Sequence, residues 1–142
     1  DQFNEQNKQK GIDNLQIENL LQLIQTKPSN FKQTFLVGQG DQLLPVKTSD
    51  IAYFFIDTGV VKAVTDHNKS YTLDVKLEEI EEALDPAIFF RANRQFIVRR
   101  DAIASIKFHF NSKLLVEVQP PCSERIVVSK AKASEFKNWV GS

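Results

Sequence analysis

The chain has no methionine, one cysteine, one tryptophan, two histidines and five glycines among 142 residues, and each scarcity excludes something. With no Met at its start or elsewhere, the natural start is expected upstream, and with it a preceding module. The single Cys122 cannot close an internal disulfide, which fits a reducing compartment such as the cytoplasm. As a nucleophile it needs a base to form thiolate, and only His67 and His109 exist, so it reads as a loop cysteine beside Pro120 and Pro121. The same two histidines stand far apart without further nitrogen or sulfur ligands, so no metal is expected. Gly38-Gln39-Gly40 is the nearest approach to a glycine-rich loop, but it lacks a third glycine and a following helix and reads as a strand-connecting turn. The chain contains no phosphate-binding loop, H-E-x-x-H, paired-cysteine zinc motif or G-x-S-x-G elbow, so neither an enzyme nor a cofactor is expected. No apolar run approaches the roughly 18 to 20 residues of a membrane helix, and the polar start Asp1-Gln2-Phe3-Asn4-Glu5 is unlike a signal peptide, so no membrane contact is expected.

What the chain does have is 42% hydrophobic residues, eleven of them Phe. That suffices for one compact domain and an extension, not two domains. The extension is residues 1–30 and the domain residues 31–142. In the extension, Ile12, Leu15, Ile17, Leu20, Leu21, Leu23 and Ile24 recur at three- and four-residue steps, predicting a helix over 12–25 with a wide apolar face, ended by Pro28-Ser29-Asn30. Such a helix is marginal alone in water, so its stripe is expected against the domain, a partner helix or another copy.

After Asn30 the pattern turns to short β-branched and aromatic runs broken by turn residues, the pattern of a mostly β domain. Strands are predicted over 35–37, 43–47, 51–57, 60–65, 71–73, 96–98, 103–108, 114–118 and 125–128, with Thr58-Gly59 as a tight hairpin connection. Leu77, Ile80 and Leu84 predict one short helix over 75–84, and Glu78, Glu79, Glu81 and Glu82 read as its solvated face. Residues 131–140 read as a closing helix or turn that buries Phe136 and Trp139.

The formal charge is zero, yet the two parts differ. Residues 1–90 hold eight Lys and Arg against fourteen Asp and Glu, net −6, and residues 91–142 hold ten against four, net +6. A polyanion responds to the local field, so the second part can face one. Within it, Phe89-Phe90-Arg91-Ala92-Asn93-Arg94-Gln95-Phe96-Ile97-Val98-Arg99-Arg100 places four arginines in ten positions without an acid. Guanidinium groups pair with phosphate and with the acceptor edge of guanine, while Asn and Gln read adenine. The same residues also suit a solvated or salt-bridged surface. Ser129-Lys130-Ala131-Lys132 follows a strand directly: it can grip phosphates, or Ser129 can simply cap the closing helix.

At these residues the sequence resembles the LytTR family of bacterial DNA-binding domains, over roughly residues 35–140. The resemblance is carried by Ile51-Ala52-Tyr53-Phe54, by the helix with Leu77, Ile80 and Leu84, by Phe90-Arg91-Ala92-Asn93-Arg94-Gln95-Phe96-Ile97-Val98 with Ile103 and Ile106, and by Ile126-Val127-Val128-Ser129-Lys130. It implies an elongated arrangement of small antiparallel sheets with one short helix, whose loops enter successive grooves of double-stranded DNA and bend it. The implied DNA contacts are Thr58, Gly59, Arg91, Asn93, Arg94, Ser129, Lys130 and Lys132. Residues 1–30 become the linker from a missing N-terminal module, most often the receiver of a two-component response regulator, and paired direct repeats become the usual target. Self-association is expected through residues 12–25 or on DNA. Two departures stand out. The family often has His-Arg-Ser where this chain has Asn93-Arg94-Gln95, and Asn where it has Arg99, so that Arg99 either satisfies a turn differently or adds a phosphate contact. The rival reading is a β-rich protein-interaction module whose arginines serve acidic partners.

Overall fold

A computed structural model describes residues 31–142 together with Asn7, Lys8, Lys10 and Gly11, and the helix expected over 12–25 lies outside the described residues. The domain is built outward from a hairpin. Strand β3 (Ile51–Asp57) pairs antiparallel with β4 (Val60–Thr65) across Thr58 and Gly59. Both turn residues have positive φ, 49° and 82°. That mirror-image turn follows the right-handed twist of the strands, and glycine adopts it without steric penalty.

Five more strands extend this hairpin into one seven-stranded antiparallel sheet. They are β1 (Thr34–Gln39), β2 (Gln42–Lys47), β5 (Ser70–Leu73), β6 (Phe89–Arg91) and β7 (Phe96–Arg99), in the order β2-β1-β5-β4-β3-β7-β6. The chain then forms a separate three-stranded meander, β8 (Ile103–His109), β9 (Lys113–Val118) and β10 (Ile126–Val128).

Strands β3 and β7 sit inside the larger sheet and are apolar on both faces. Phe54 and Ile97 face one core, with Phe35, Val37, Leu77, Ile80 and Leu84; Tyr53, Phe96 and Val98 face the other, with Leu114, Val116, Ile126, Val128 and Phe136. Near-continuous apolar runs such as residues 51–56 and 96–98 are the signature of strands buried on both sides. A bulge between Ile51 and Tyr53 turns both Ala52 and Tyr53 toward the second core. Each buried phenylalanine contributes on the order of 1.5–3 kcal/mol.

Helix α1 (Leu77–Ala83) covers the first core through Leu77 and Ile80, with the Glu79 carboxylate accepting from the Lys76 backbone N–H at 3.1 Å. The meander and helix α2 (Lys130–Val140) cover the second. Among the described residues the closing segment, open between helix and turn in the sequence, is thus a second helix. The closing segment is an eleven-residue helix because Ala133 and Phe136 fall three residues apart on its buried face. β6 was also unforeseen. At three residues it is too short to alternate, and its arginine gives it the look of a basic loop.

Candidate nucleic-acid interface

The arginine-rich segment falls on β6, β7 and the turn between them, and the fold divides its four guanidinium groups sharply. Arg91, 11% exposed in its side chain, folds back over its own turn: Nε donates to the Asn93 carbonyl and Nη2 to the Arg94 carbonyl, both at 2.7 Å. It also pairs with Glu81 at 3.0 Å and Glu78 at 3.4 Å. Part of the acidic face of α1, read from the sequence as solvation, is thus the counter-charge to Arg91. A hydrogen bond from its own backbone N–H, and then Arg91, hold the Glu78 carboxyl below its ordinary range.

Arg99 is equally engaged. Its Nη1 donates to the carbonyls of Ser49 (2.7 Å) and Ile51 (3.0 Å), and its Nη2 pairs with Asp66 at 2.7 Å. Arg100 donates to the carbonyls of Trp139, Ser142 and Ala87 and lies over the Trp139 ring, 5.6 Å from its centroid. The Asn93 amide is engaged within the protein at both ends. Its Oδ1 accepts from the backbone N–H groups of Gln95 (2.8 Å) and Phe96 (3.0 Å), and its Nδ2 donates to the Val127 carbonyl at 3.0 Å. This is the side-chain turn that Asn forms readily. Internal carbonyls and carboxylates thus engage donors of Arg91, Asn93 and Arg99, three of the residues expected at the DNA.

Arg94 is what the turn presents outward. Its side chain is exposed and has no partner among the described residues. Ser129 sits at the N-cap of α2 yet makes no side-chain cap bond, and the exposed side chains of Lys130 and Lys132 are likewise unpaired among the described residues. The Asn93–Val127 bond draws the two segments together, so that Arg94, Lys113, Ser129 and Lys132 line one open concavity of about 520 Å³ around Asn93 and Val127, with the Arg91–Glu81 pair also in its wall. Lys113 went unnoticed in the sequence, where a lone lysine after Asn111-Ser112 carries no distinguishing signal. The hairpin tip lies at the same end of the sheet. Ile56 N–H donates to the Gln95 carbonyl at 3.0 Å, which sets Thr58 and Gly59, both exposed, beside the Asn93–Gln95 turn.

The description of the LytTr DNA-binding domain family matches residues 41–141. This chain belongs to the LytTR family. Among solved structures it is similar to a Bacillus cereus chain assigned as the LytTr DNA-binding domain of a methyl-accepting/DNA response regulator. The identity is 26% and the TM-score 0.67, with 78% of this chain and 99% of that one covered. The family match opens at Asp41, inside the β1–β2 hairpin, yet β1 gives this LytTR domain the buried Phe35 and Val37. Of its two departures, Arg99 satisfies the backbone around Ser49 and Ile51, and Asn93 ties its turn to β10.

Elsewhere in the LytTR domain, burial pushes the Cys122 thiol upward from its ordinary pKa, and that of the neighbouring Tyr53 hydroxyl also rises, chiefly through burial. Among the described residues no three His, Cys, Asp or Glu side chains gather as a metal site, and no helix is long and apolar enough to cross a membrane.

Proposed function

We propose that this LytTR domain binds double-stranded DNA sequence-specifically through three loops, as the output element of a bacterial transcription regulator of the two-component type. The observation that carries the reading is the convergence of Arg94, Lys113, Ser129 and Lys132 on one open concavity in a member of a DNA-binding family. Arg94 is the base reader, because a guanidinium without internal partners can give two parallel hydrogen bonds to guanine. Ser129, Lys130 and Lys132 hold phosphates, and the Thr58-Gly59 tip meets the backbone of a neighbouring groove. Arg91, Asn93 and Arg99 position these loops without touching DNA. Paired direct repeats are the target, two copies bind side by side in the cytoplasm, and residues 1–30 link the domain to a receiver or another sensor module.

The test is titration against a pool of random duplexes at two salt concentrations, followed by selection and sequencing of what stays bound. Enrichment of a short repeated element, with affinity falling by a log–log slope of about −0.9 per neutralised phosphate, supports the reading. Retention at low salt without enrichment would reduce the role to non-specific binding. Absence of binding would point to a protein partner.

A further inference from the structure

The β8–β9 hairpin carries two aromatic side chains that the domain does not use. Phe108 is 87% exposed and Phe110 64% exposed, whereas Phe35, Phe54, Phe89, Phe96 and Phe136 are buried. Phe108 pairs across the hairpin with the buried Leu114, so it shares the core-facing side of the meander yet reaches past its cover. Phe110 stands at the tip, where Asn111 and Ser112 both take positive φ of 60°. It is held from two sides. The His109 ring lies 4.4 Å from the Phe110 ring, centroid to centroid, and Lys113 Nζ lies 5.4 Å from the Phe110 centroid.

Along the sequence the charge at this tip is of one sign. From residue 102 to 116 the chain has no acid, while Lys107 and Lys113 flank the aromatics. Lys107 is paired lower on the hairpin with Glu117 at 3.1 Å. Lys113 has no carboxylate partner among the described residues, and it also lines the concavity of Arg94, Ser129 and Lys132. The aromatic tip is therefore continuous with the proposed DNA face.

We infer that Phe110, steered by Lys113, is an apolar wedge that packs into a groove of the bound duplex and opens a base step there. An exposed ring beside an ammonium group that has no carboxylate partner among the described residues suits a polyanion with stackable bases. Wedges of this type bend DNA by partly unstacking a step and thereby bring more protein surface into contact. Pyrimidine–purine steps unstack most readily, so the position under Phe110 should favour them. The inference rests on the DNA-binding reading above.

The experiment measures affinity and end-to-end energy transfer with a labelled duplex of about 30 base pairs that carries the element enriched in the selection above, a length suited to detecting a bend. It compares the unaltered protein with Phe110→Ser, Phe110→Leu and Arg94→Ala. The expected result is about tenfold weaker binding and a smaller bend for Phe110→Ser, with Phe110→Leu close to the unaltered protein. Phe110→Gln replaces the serine variant should that variant not fold. If Phe110→Ser binds and bends as the unaltered protein does while Arg94→Ala is weakened, the wedge is overturned and the loop reading survives. If the unaltered protein binds no duplex, both fall. If Phe110→Ser changes only the sedimentation of the protein alone, the tip joins copies of the chain and the wedge is again overturned.

Discussion

The Asn93 side-chain amide donates to the Val127 carbonyl at 3.0 Å, across 34 residues of sequence, and this one bond fastens the β6–β7 turn to the strand that leads into α2. Because Arg94 follows Asn93 and Ser129 comes two residues after Val127, the bond fixes the spacing between the proposed base reader and the proposed phosphate clamp.

Asn93→Ala should therefore cost more than its exposure suggests. It removes one donor and leaves the N–H groups of Gln95 and Phe96 without their acceptor. A loss of about 1–3 kcal/mol in unfolding free energy is expected from denaturant titration. An unchanged midpoint would mean that backbone or water replaces the amide.

Arg94→Ala and Lys132→Ala should separate by specificity. The first should weaken binding to a selected duplex by about 1–3 kcal/mol and leave random duplex nearly unaffected. The second should lower affinity for both and reduce the salt slope by about 1. Neither should move the thermal midpoint, since neither side chain has an internal partner among the described residues. Competition binding at several salt concentrations checks both, and identical profiles would refute the division of roles.

Arg99→Ala should behave in the opposite way. Its side chain is 12% exposed, and its loss strips Asp66 of a counter-charge and two carbonyls of their donor. A destabilisation of about 2–3 kcal/mol is expected, with the salt slope of DNA binding unchanged in the folded protein. A reduced salt slope would return Arg99 to the list of phosphate contacts.

Stability should also carry an acid-side dependence from Glu78. Its folded-state pKa is depressed, by the hydrogen bond from its own backbone N–H and then by Arg91. Its contribution is therefore present above the unfolded carboxylate pKa and disappears as pH falls through the lower folded value. Glu78→Gln should flatten the acid limb of the stability-versus-pH curve and leave neutral pH little changed. Parallel limbs in the two proteins would remove the linkage.

Cys122 should react slowly with thiol reagents at neutral pH. Burial raises its pKa and so depresses the thiolate that reacts. Labelling should accelerate on unfolding in denaturant, and rapid labelling of the folded protein would contradict this environment.

Much of the strand ladder was readable in advance because its signals are local. Residues 51–57 and 60–65 alternate or run apolar on either side of Thr58-Gly59, and the structure places β3 and β4 on those same residues. Leu77, Ile80 and Leu84 likewise marked a helix by spacing alone, and α1 spans Leu77–Ala83. β6 escaped because three residues carry no period, and α2 was left open between helix and turn because its buried face shows only in contact with the meander.

The sequence by itself determined where the positive charge lies, which stretches become strands and which turns can close them, since charge, periodicity and turn preference belong to a few adjacent residues. Only the tertiary structure decided which cations remain available. Which of Arg91, Arg94, Arg99 and Arg100 find internal acceptors does not show in a linear reading, because Glu81, Ser49, Asp66 and Trp139 reach three of them from 10 to 50 residues away. A buried or half-buried guanidinium must find acceptors. The fold supplies them to those three, and Arg94 is left facing outward.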